Sequence, residues 1–384
     1  GSHIAIGGAG ADTITAGYGD DDFIGDNGEI IFTNGAISSM ATSDIDGGTA
    51  GADTIDAGFG DNRVLAGLGT KQVLDADNNP IMIGDSVVTG DDNDIVLGDN
   101  GSINYSNGAL NRIESSQSEL GDNDSLILGD GNNIVIAGAG SDTVTTGLGD
   151  NDIIGDTGSI DYAAETYTAT EAGRGDDIIT TGAGDQQILA GSGSDSITLG
   201  YGNSHILGDA GELQYNSSTL ETAVSNSTDS GDHSSEADTV TAGDGDNIVL
   251  TGAGSDTITL GNGNSVVVAD NGSLDYVNQR YETDASITGY QYDENTPNQY
   301  DDVITAGVGD HLILAGDGAD KITLGAGNND IIADTGVIDD IARTVIADAA
   351  GSGDDTINLQ DGDNLILAGS GDDIITVGNG DQDI

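Results

Sequence analysis

The stretch TGAGSDTITLGNGNSVVVADNGSLDY, residues 251–276, states one pattern twice and then abandons it. TGAGSDTIT and LGNGNSVVV share Gly-x-Gly followed by a short β-prone run, yet Asp256 holds the sixth place of the first and Ser265 that of the second. Outward from here, nearly the whole chain falls into nine-residue units x-G-x-G-x-D-x-U-x, with U a large aliphatic residue. AGSGSDSIT, AGDGADKIT and AGSGDDIIT keep the acid, whereas LGYGNSHIL, AGDGDNIVL, LGAGNNDII and AGVGDHLIL replace it with Ser, Asn, Asn and His. The acid-bearing units pair Asp124 with Asp142, Asp177 with Asp195, Asp238 with Asp256, Asp302 with Asp320 and Asp355 with Asp373, always 18 residues apart. Two units per coil would place such partners on adjacent parallel strands, about 4.8 Å apart. The alternation therefore marks the two edges of a flattened coil.

Glycine serves the tight corners, where positive φ and close backbone approach exclude a Cβ. The runs that follow, such as DTITL and NIVLA, are β-prone, and their central residues, Val240, Val249, Ile258 and Val267, are expected to point inward as a single-file core. The frame breaks at GDNGEIIF, GDNGSINY, GDTGSIDY, GDAGELQY, ADNGSLDY and ADTGVIDD, which begin at residues 25, 98, 155, 208, 269 and 333. Each reads as the start of a β-hairpin projecting from the coil, with insertions at about 28–50, 101–120, 158–172, 211–236, 272–300 and 336–350. Ile103 with Tyr105, Ile160 with Tyr162, Leu213 with Tyr215 and Leu274 with Tyr276 alternate onto one face of these hairpins. On the acid-free side the ninth residue is also apolar: Leu65, Ile136, Leu189, Leu250, Leu314 and Leu367. An outward apolar stripe needs a cover. The hairpins are expected to fold back over it; the rival expectation is lateral self-association of two solenoids.

Sixty-three glycines, no cysteine, no tryptophan and 4% aromatics in 384 residues exclude the single large core of a compact enzyme. Sixty-eight acids against seven bases leave a formal charge of −61, which argues against nucleic acid as a partner and favours multivalent cations as counter-charge. Apolar residues at fixed spacing argue against disorder. Without cysteine there are no disulfides or thiolate metal sites, as befits an exported bacterial protein. No apolar run is long enough to span a bilayer. The opening Gly-Ser-His reads as a tag remnant and the closing GDQDI breaks off inside a unit, so residues 4–384 are expected to be one continuous solenoid excerpted from a longer array.

The units resemble the nonapeptide repeats of RTX, or haemolysin-type, calcium-binding proteins, whose motif is G-G-x-G-x-D-x-U-x. The resemblance covers most of the chain apart from the hairpins and residues 70–90. It implies an all-β fold, a right-handed parallel β-roll or β-solenoid with 18-residue turns interrupted by projecting β-hairpins. It also implies that turn aspartates and loop carbonyls bind several Ca²⁺ ions, and that the module belongs to a protein exported by type I secretion, outside the cell or on a bacterial surface. Carried over residue by residue, the metal-binding aspartates are Asp12, Asp53, Asp124, Asp142, Asp177, Asp195, Asp238, Asp256, Asp302, Asp320, Asp355 and Asp373. The physics agrees: carboxylates stacked at strand spacing repel unless a hard cation lies among them, and Ca²⁺ accepts looser oxygen shells than Mg²⁺.

The chain departs from the family motif in two ways. The first glycine is usually Ala, Leu or Thr, and the second edge lacks the acid at Asn62, Asn133, Asn151, Gln186, Ser204, Asn247, Ser265, His311, Asn329 and Asn364. Stacked side-chain amides bonding along the axis are the expected substitute for metal there. Lys71 holds the sixth place of AGLGTKQVL, so an ammonium is expected to stand in for a cation locally. Asp26, Asp99, Asp156, Asp209, Asp270 and Asp334, in the GD and AD turns, are open to two readings, further ligands or turn caps.

No His-Glu-x-x-His, Gly-x-Ser-x-Gly or phosphate-loop motif is present, and the four histidines are scattered. His205 and His311 sit on the acid-free side, where a structural role is expected. DADNNP, residues 75–80, starts like an EF-hand loop but has proline where glycine is needed. An enzyme is not expected; the leading expectation is a calcium-binding spacer of a large secreted adhesin or surface-layer-like protein. The alternatives are a ligand- or ice-binding solenoid using the Thr-x-Thr pairs, such as Thr239 with Thr241 and Thr257 with Thr259, and a folding or export module of a secreted enzyme or toxin.

Overall fold

The computed structural model describes residues 1–43, 51–69, 71–74, 80–117, 120–225, 236–283, 300–347 and 353–384, with backbone alone for 71–74 and 80–83. The chain forms two compact units, residues 1–192 and 193–384, and every regular element among the described residues is a β-strand.

In the first unit a parallel front wall follows the acid-bearing turns: Thr13–Thr15, Thr54–Gly58, Ser86–Thr89, Ser125–Ile127, Thr143–Thr145 and Ile178–Thr180. A parallel back wall follows the acid-free turns: Ile4–Ile6, Asp22–Ile24, Arg63–Leu65, Ile95–Leu97, Ile134–Ile136, Asp152–Ile154 and Gln187–Leu189. The chain alternates between walls, so strands that neighbour one another in a wall belong to successive coils. Val144 pairs with Leu126, 18 residues earlier, and with Ile179 across an inserted hairpin. The second unit repeats the plan, with front-wall strands from Ser196–Thr198 to Ile374–Thr376 and back-wall strands from His205–Leu207 to Gln382–Asp383. The expected core is present: Val240, Val249, Ile258 and Val267 are fully buried, as are Leu126, Val135, Val144 and Ile153 in the first unit. Aliphatic side chains, joined by Phe23 in the first unit, fill the space between the walls.

The hairpins do not stand apart from the coil. In the first unit Gly28–Thr33 with Ala36–Thr42, Gly101–Ser106 with Ala109–Ser115 and Gly158–Asp161 with Thr166–Ala169 join edge to edge into one antiparallel sheet. Asn34 and Gly35, with φ of 54° and 84°, and Asn107 and Gly108, with 54° and 82°, close two of them through the Asn-Gly turn that matches strand twist. Met40, Ile103, Ile113 and Ile160 form their buried face, and the stripe of Ile24, Leu65, Leu97, Ile136, Ile154 and Leu189 is likewise fully buried. Contact between the two is close: a Cβ on Gly28 would strike Ile24, and one on Gly101 would strike Leu97. The second unit builds the same cover from Gly211–Asn216 to Thr344–Ala347, with Leu213, Ala223, Leu274 and Ile338 inward. The stripe is thus covered from within the chain rather than by a second solenoid, apart from half-buried Leu367.

Tyrosines fasten the cover to polar residues of the back wall. Tyr162 and Tyr167 donate to Asp152 Oδ2 at 2.7 and 3.1 Å, His205 Nδ1 meets the Tyr215 hydroxyl at 2.6 Å, and Arg63 reaches both Asp22 and the Tyr105 hydroxyl. A further hairpin, Lys71–Leu74 with Pro80–Ile83, occupies part of the segment where the nonapeptide frame fails. The Lys71 side chain and residues 75–79 of DADNNP lie outside the described residues.

Candidate metal centre

Each sixth-place aspartate sits at the entry to a front-wall strand, where its backbone N–H is not claimed by the parallel ladder. That N–H donates to Oδ1 of the equivalent aspartate on the next coil. In the first unit the file runs Asp12, Asp53, Asp85, Asp124, Asp142, Asp177, with N···O distances of 2.6–2.7 Å. In the second it runs Asp195, Asp238, Asp256, Asp302, Asp320, Asp355, Asp373, at 2.7–3.1 Å. The structure therefore brings all twelve candidate aspartates into two files, one in each unit.

The second carboxylate oxygen is the anomaly. Oδ2 of Asp12, Asp53, Asp124, Asp142, Asp238, Asp256, Asp302, Asp320 and Asp355 is shut off from solvent and accepts no hydrogen bond. Burial pushes Asp142 and Asp355 up to about 7 and Asp256 up to about 8. Asp124 is raised by burial first and then by the like charges of Asp142, Asp99 and Asp85. Such a stack of half-satisfied buried carboxylates needs a cation or a proton among them. Loop carbonyls converge on the same oxygens. A Cβ on Gly98 would strike both Asp124 Oδ2 and the Ala137 carbonyl, and one on Gly25 would strike Asp53 Oδ2 and the Ala66 carbonyl. Carboxylate and carbonyl oxygens meeting in a cradle that only glycine leaves open suit a hard, oxygen-seeking ion with flexible coordination. Among the described residues no three His, Asp or Glu side chains form a group able to hold a metal by themselves, so carbonyls must complete the shell.

The opposite edge has the same ladder with different chemistry. The N–H of Asn133 donates to Asn151 Oδ1 at 3.0 Å and that of Asn151 to Gln186 Oε1 at 3.1 Å; in the second unit the N–H groups of His311 and Asn329 find Asn329 and Asn364 Oδ1, both at 3.0 Å. Here the second atom is a donor. Asn133 Nδ2 bonds the Gly129 and Gly131 carbonyls and Asn151 Oδ1, and Asn329 Nδ2 bonds the Gly327 carbonyl and Asn364 Oδ1. His311 does likewise: Nδ1 accepts the Ser265 N–H and Nε2–H donates to the Gly307 carbonyl, fixing a neutral ring whose pKa burial lowers.

Comparison with known families matches the RTX calcium-binding nonapeptide repeat (4 copies) to residues 4–29, 48–70, 121–159, 171–197, 189–212, 234–267, 297–336 and 350–381, more than half of the chain. The chain belongs to this family. Its RTX repeats make it a calcium-binding β-roll module. Comparison with curated proteins gave no match.

Several acids of these RTX coils escaped the sequence reading. Asp85 continues the acid file between Asp53 and Asp124; its only sequence signal is the β-branched run SVVT behind it, since GxG is missing in front. Asp21 and Asp94 occupy the sixth place on the amide edge and are fully buried, with Oδ2 again unbonded. Thr89 lies beside Asp94, whose pKa burial pushes up to about 6. The RTX frame was legible at both positions: AGYGDD places Asp21 sixth, and TGDDND places Asp94 sixth with Asp92 in the glycine place. The turn aspartates are caps at the least, since Oδ2 of Asp26, Asp99, Asp156, Asp209, Asp270 and Asp334 accepts the N–H of Leu68, Ala139, Ser192, Ala253, Asp317 and Ser370.

Proposed function

We propose that the chain is a calcium-stiffened, non-catalytic spacer of a large secreted bacterial surface protein, adhesin or surface-layer-like, which folds as it meets calcium outside the cell. The twelve sixth-place aspartates are its ligands in this reading, with Asp85 as a thirteenth. The observation that carries it is the buried Oδ2 atoms without hydrogen-bond partners on Asp12, Asp53, Asp124, Asp142, Asp238, Asp256, Asp302, Asp320 and Asp355. Calcium supplies the positive charge that lets these carboxylates lie one coil apart. The chain's own part is to orient them, through the N–H to Oδ1 ladder, and to exclude water by burying them. A ligand bound only by the folded state stabilises it by about 2.7 kcal/mol per site at a hundred times its Kd, so many sites in series couple folding to external calcium. Export by type I secretion, as RTX repeat proteins typically undergo, would deliver the chain unfolded into calcium. Among the described residues no helix is long and apolar enough to cross a membrane.

Far-ultraviolet circular dichroism of the whole chain in chelator and in millimolar calcium tests this. A strand spectrum that collapses on chelation and returns with calcium, but not with equal magnesium, is expected. A spectrum indifferent to chelator would defeat it.

A second reading is favoured by one observation in the second unit. Thr198, Thr241, Thr259, Thr305 and Thr323 pair in register along the front wall before Asn358 interrupts them and Thr376 follows. A regular hydroxyl file of this kind suits an ordered ligand surface, ice included; thermal hysteresis of the calcium-loaded chain would support it.

A further inference from the structure

The amide file of the second unit contains one member that titrates near neutral pH. From Ser204 the file runs through Asn247, Ser265, His311, Asn329 and Asn364, each backbone N–H donating to the side chain one coil on. Hydroxyl and carboxamide side chains keep their donors and acceptors whatever the pH; an imidazole does not. The His311 ring is buried, and its two nitrogens have opposite duties. Nδ1 accepts the Ser265 N–H at 3.3 Å, while Nε2–H donates to the Gly307 carbonyl at 3.2 Å. A fixed donor on one side and a fixed acceptor on the other admit only the neutral ring with its hydrogen on Nε2. The rungs on either side of Ser265 are also the longest of the file, both 3.3 Å against 3.0–3.1 Å for the others. Asp310, beside the ring, is the charged group that acts on it. Neutral Asn264 and Asn328 hold the place of Asp310 on the coils either side, and Asp330, at the head of the following strand, is acted on by Asp340.

We propose that His311 makes this rung a proton-sensitive seam: a second proton on the ring turns Nδ1 into a donor facing the Ser265 N–H, and the amide edge parts between the coils of Ser265 and His311. The step costs the rung its hydrogen bond and leaves a cation in a buried place built for a neutral group. Burial outweighs the attraction of Asp310 and holds the ring below its ordinary 6.5. An opened ring therefore takes its proton near 6.5 while the closed ring refuses it, so the advantage of the closed seam is complete above 6.5 and shrinks as pH falls below it. His205 is no second seam. Its Nδ1 meets the Tyr215 hydroxyl, which accepts as readily as it donates, so a proton there leaves the contact intact. The seam belongs to the edge whose side chains satisfy one another, and it holds whether or not calcium fills the opposite edge.

Amide hydrogen exchange followed by mass spectrometry on the whole chain, in saturating calcium, tests this. His311→Asn supplies the same two contacts without a titratable group, as Asn329 does one coil on. Between about pH 7.5 and 5.5, after correction for the intrinsic exchange rate, protection of residues 262–268 and 307–314 is expected to fall about tenfold in the wild type, since pH 5.5 lies about one unit below the ordinary ring value. In His311→Asn it is expected to stay level. Histidine side-chain NMR, with the His311 signal assigned by its loss in the variant, should show the closed ring still neutral at pH 6. An equal fall in wild type and variant would place the acid sensitivity elsewhere, at the calcium edge for instance, and overturn the proposal. So would a level wild type, or a His311 ring that titrates at 6.5 or above with the seam still protected. Should His311→Asn fail to recover its strand spectrum in calcium, His311→Gln carries the same comparison, because Gln186 fills this place in the first unit.

Discussion

From Asp124 and Asn133 onward, the two edges of the first unit meet the same mechanical demand with opposite electrostatics; earlier in that unit the amide edge still carries the acids Asp21 and Asp94. Asp124, Asp142 and Asp177 on one edge, and Asn133, Asn151 and Gln186 on the other, each offer an oxygen to the backbone N–H of the preceding coil. That oxygen sets the register of the coils on both sides. The edges differ in the remaining atom. An amide carries its own N–H pair, which reaches the carbonyls of its own turn and the next side chain up; the carboxylates of Asp124 and Asp142 carry another acceptor instead, a buried Oδ2 that accepts no hydrogen bond. The amide nitrogen therefore does on one edge what a cation must do on the other. A buried acceptor left unsatisfied costs about 1–3 kcal/mol, and more when it is charged.

Exchanging the edges gives the largest effect. Asp124→Asn with Asp142→Asn is expected to lower the calcium count by at least one and to raise, not lower, the melting temperature in chelator, because two buried charges are replaced by neutral donors that stay in the ladder. Thermal melts with metal analysis would show it. The converse, Asn133→Asp with Asn151→Asp, should destabilise the calcium-free chain by roughly 3–5 kcal/mol, the range for uncompensated buried charge, and calcium should recover much of that loss.

Acid should act as a weak substitute for calcium. Burial raises the folded-state pKa of Asp142 and Asp355 to about 7 and of Asp256 to about 8, against 3.8 ordinarily. The folded chain then holds protons that the unfolded chain has released, so in chelator the stability from these groups is full below about pH 4 and is lost as pH rises through 7–8. With calcium bound the slope reverses, since protons compete with the metal. Melting temperature against pH, with and without chelator, should give curves of opposite sign. The smallest effect belongs to neither edge. Tyr162→Phe removes one of two hydroxyls on half-buried Asp152 and should cost about 1 kcal/mol while leaving calcium affinity unchanged.

Much of this was legible beforehand because the repeat carries its own register. The 18-residue spacing of Asp238 and Asp256 fixed the coil, and the loss of acid at Asn247 and Ser265 fixed which edge differs. The places that escaped are those where the glycine frame is broken. Asp85 follows a hairpin instead of a Gly-x-Gly corner, and Asp92 stands in a glycine place with φ of 106°, a strained conformation for a non-glycine residue that obscured the unit ending in Asp94. Pairing between hairpins, Ile113 with Ile160 and Ala223 with Leu274, joins elements some fifty residues apart that share no motif. The fastening of Tyr162 onto Asp152 likewise depends on how the hairpin folds back, which local pattern does not encode.

Anomalous diffraction at a long wavelength from crystals of the calcium-loaded chain tests the central contrast most directly. Peaks beside Oδ2 along Asp124, Asp142, Asp238, Asp256, Asp302 and Asp320, with none along Asn133, Asn151, Asn329 and Asn364, are predicted. An acid file without peaks, or an amide file with as many, would contradict the account.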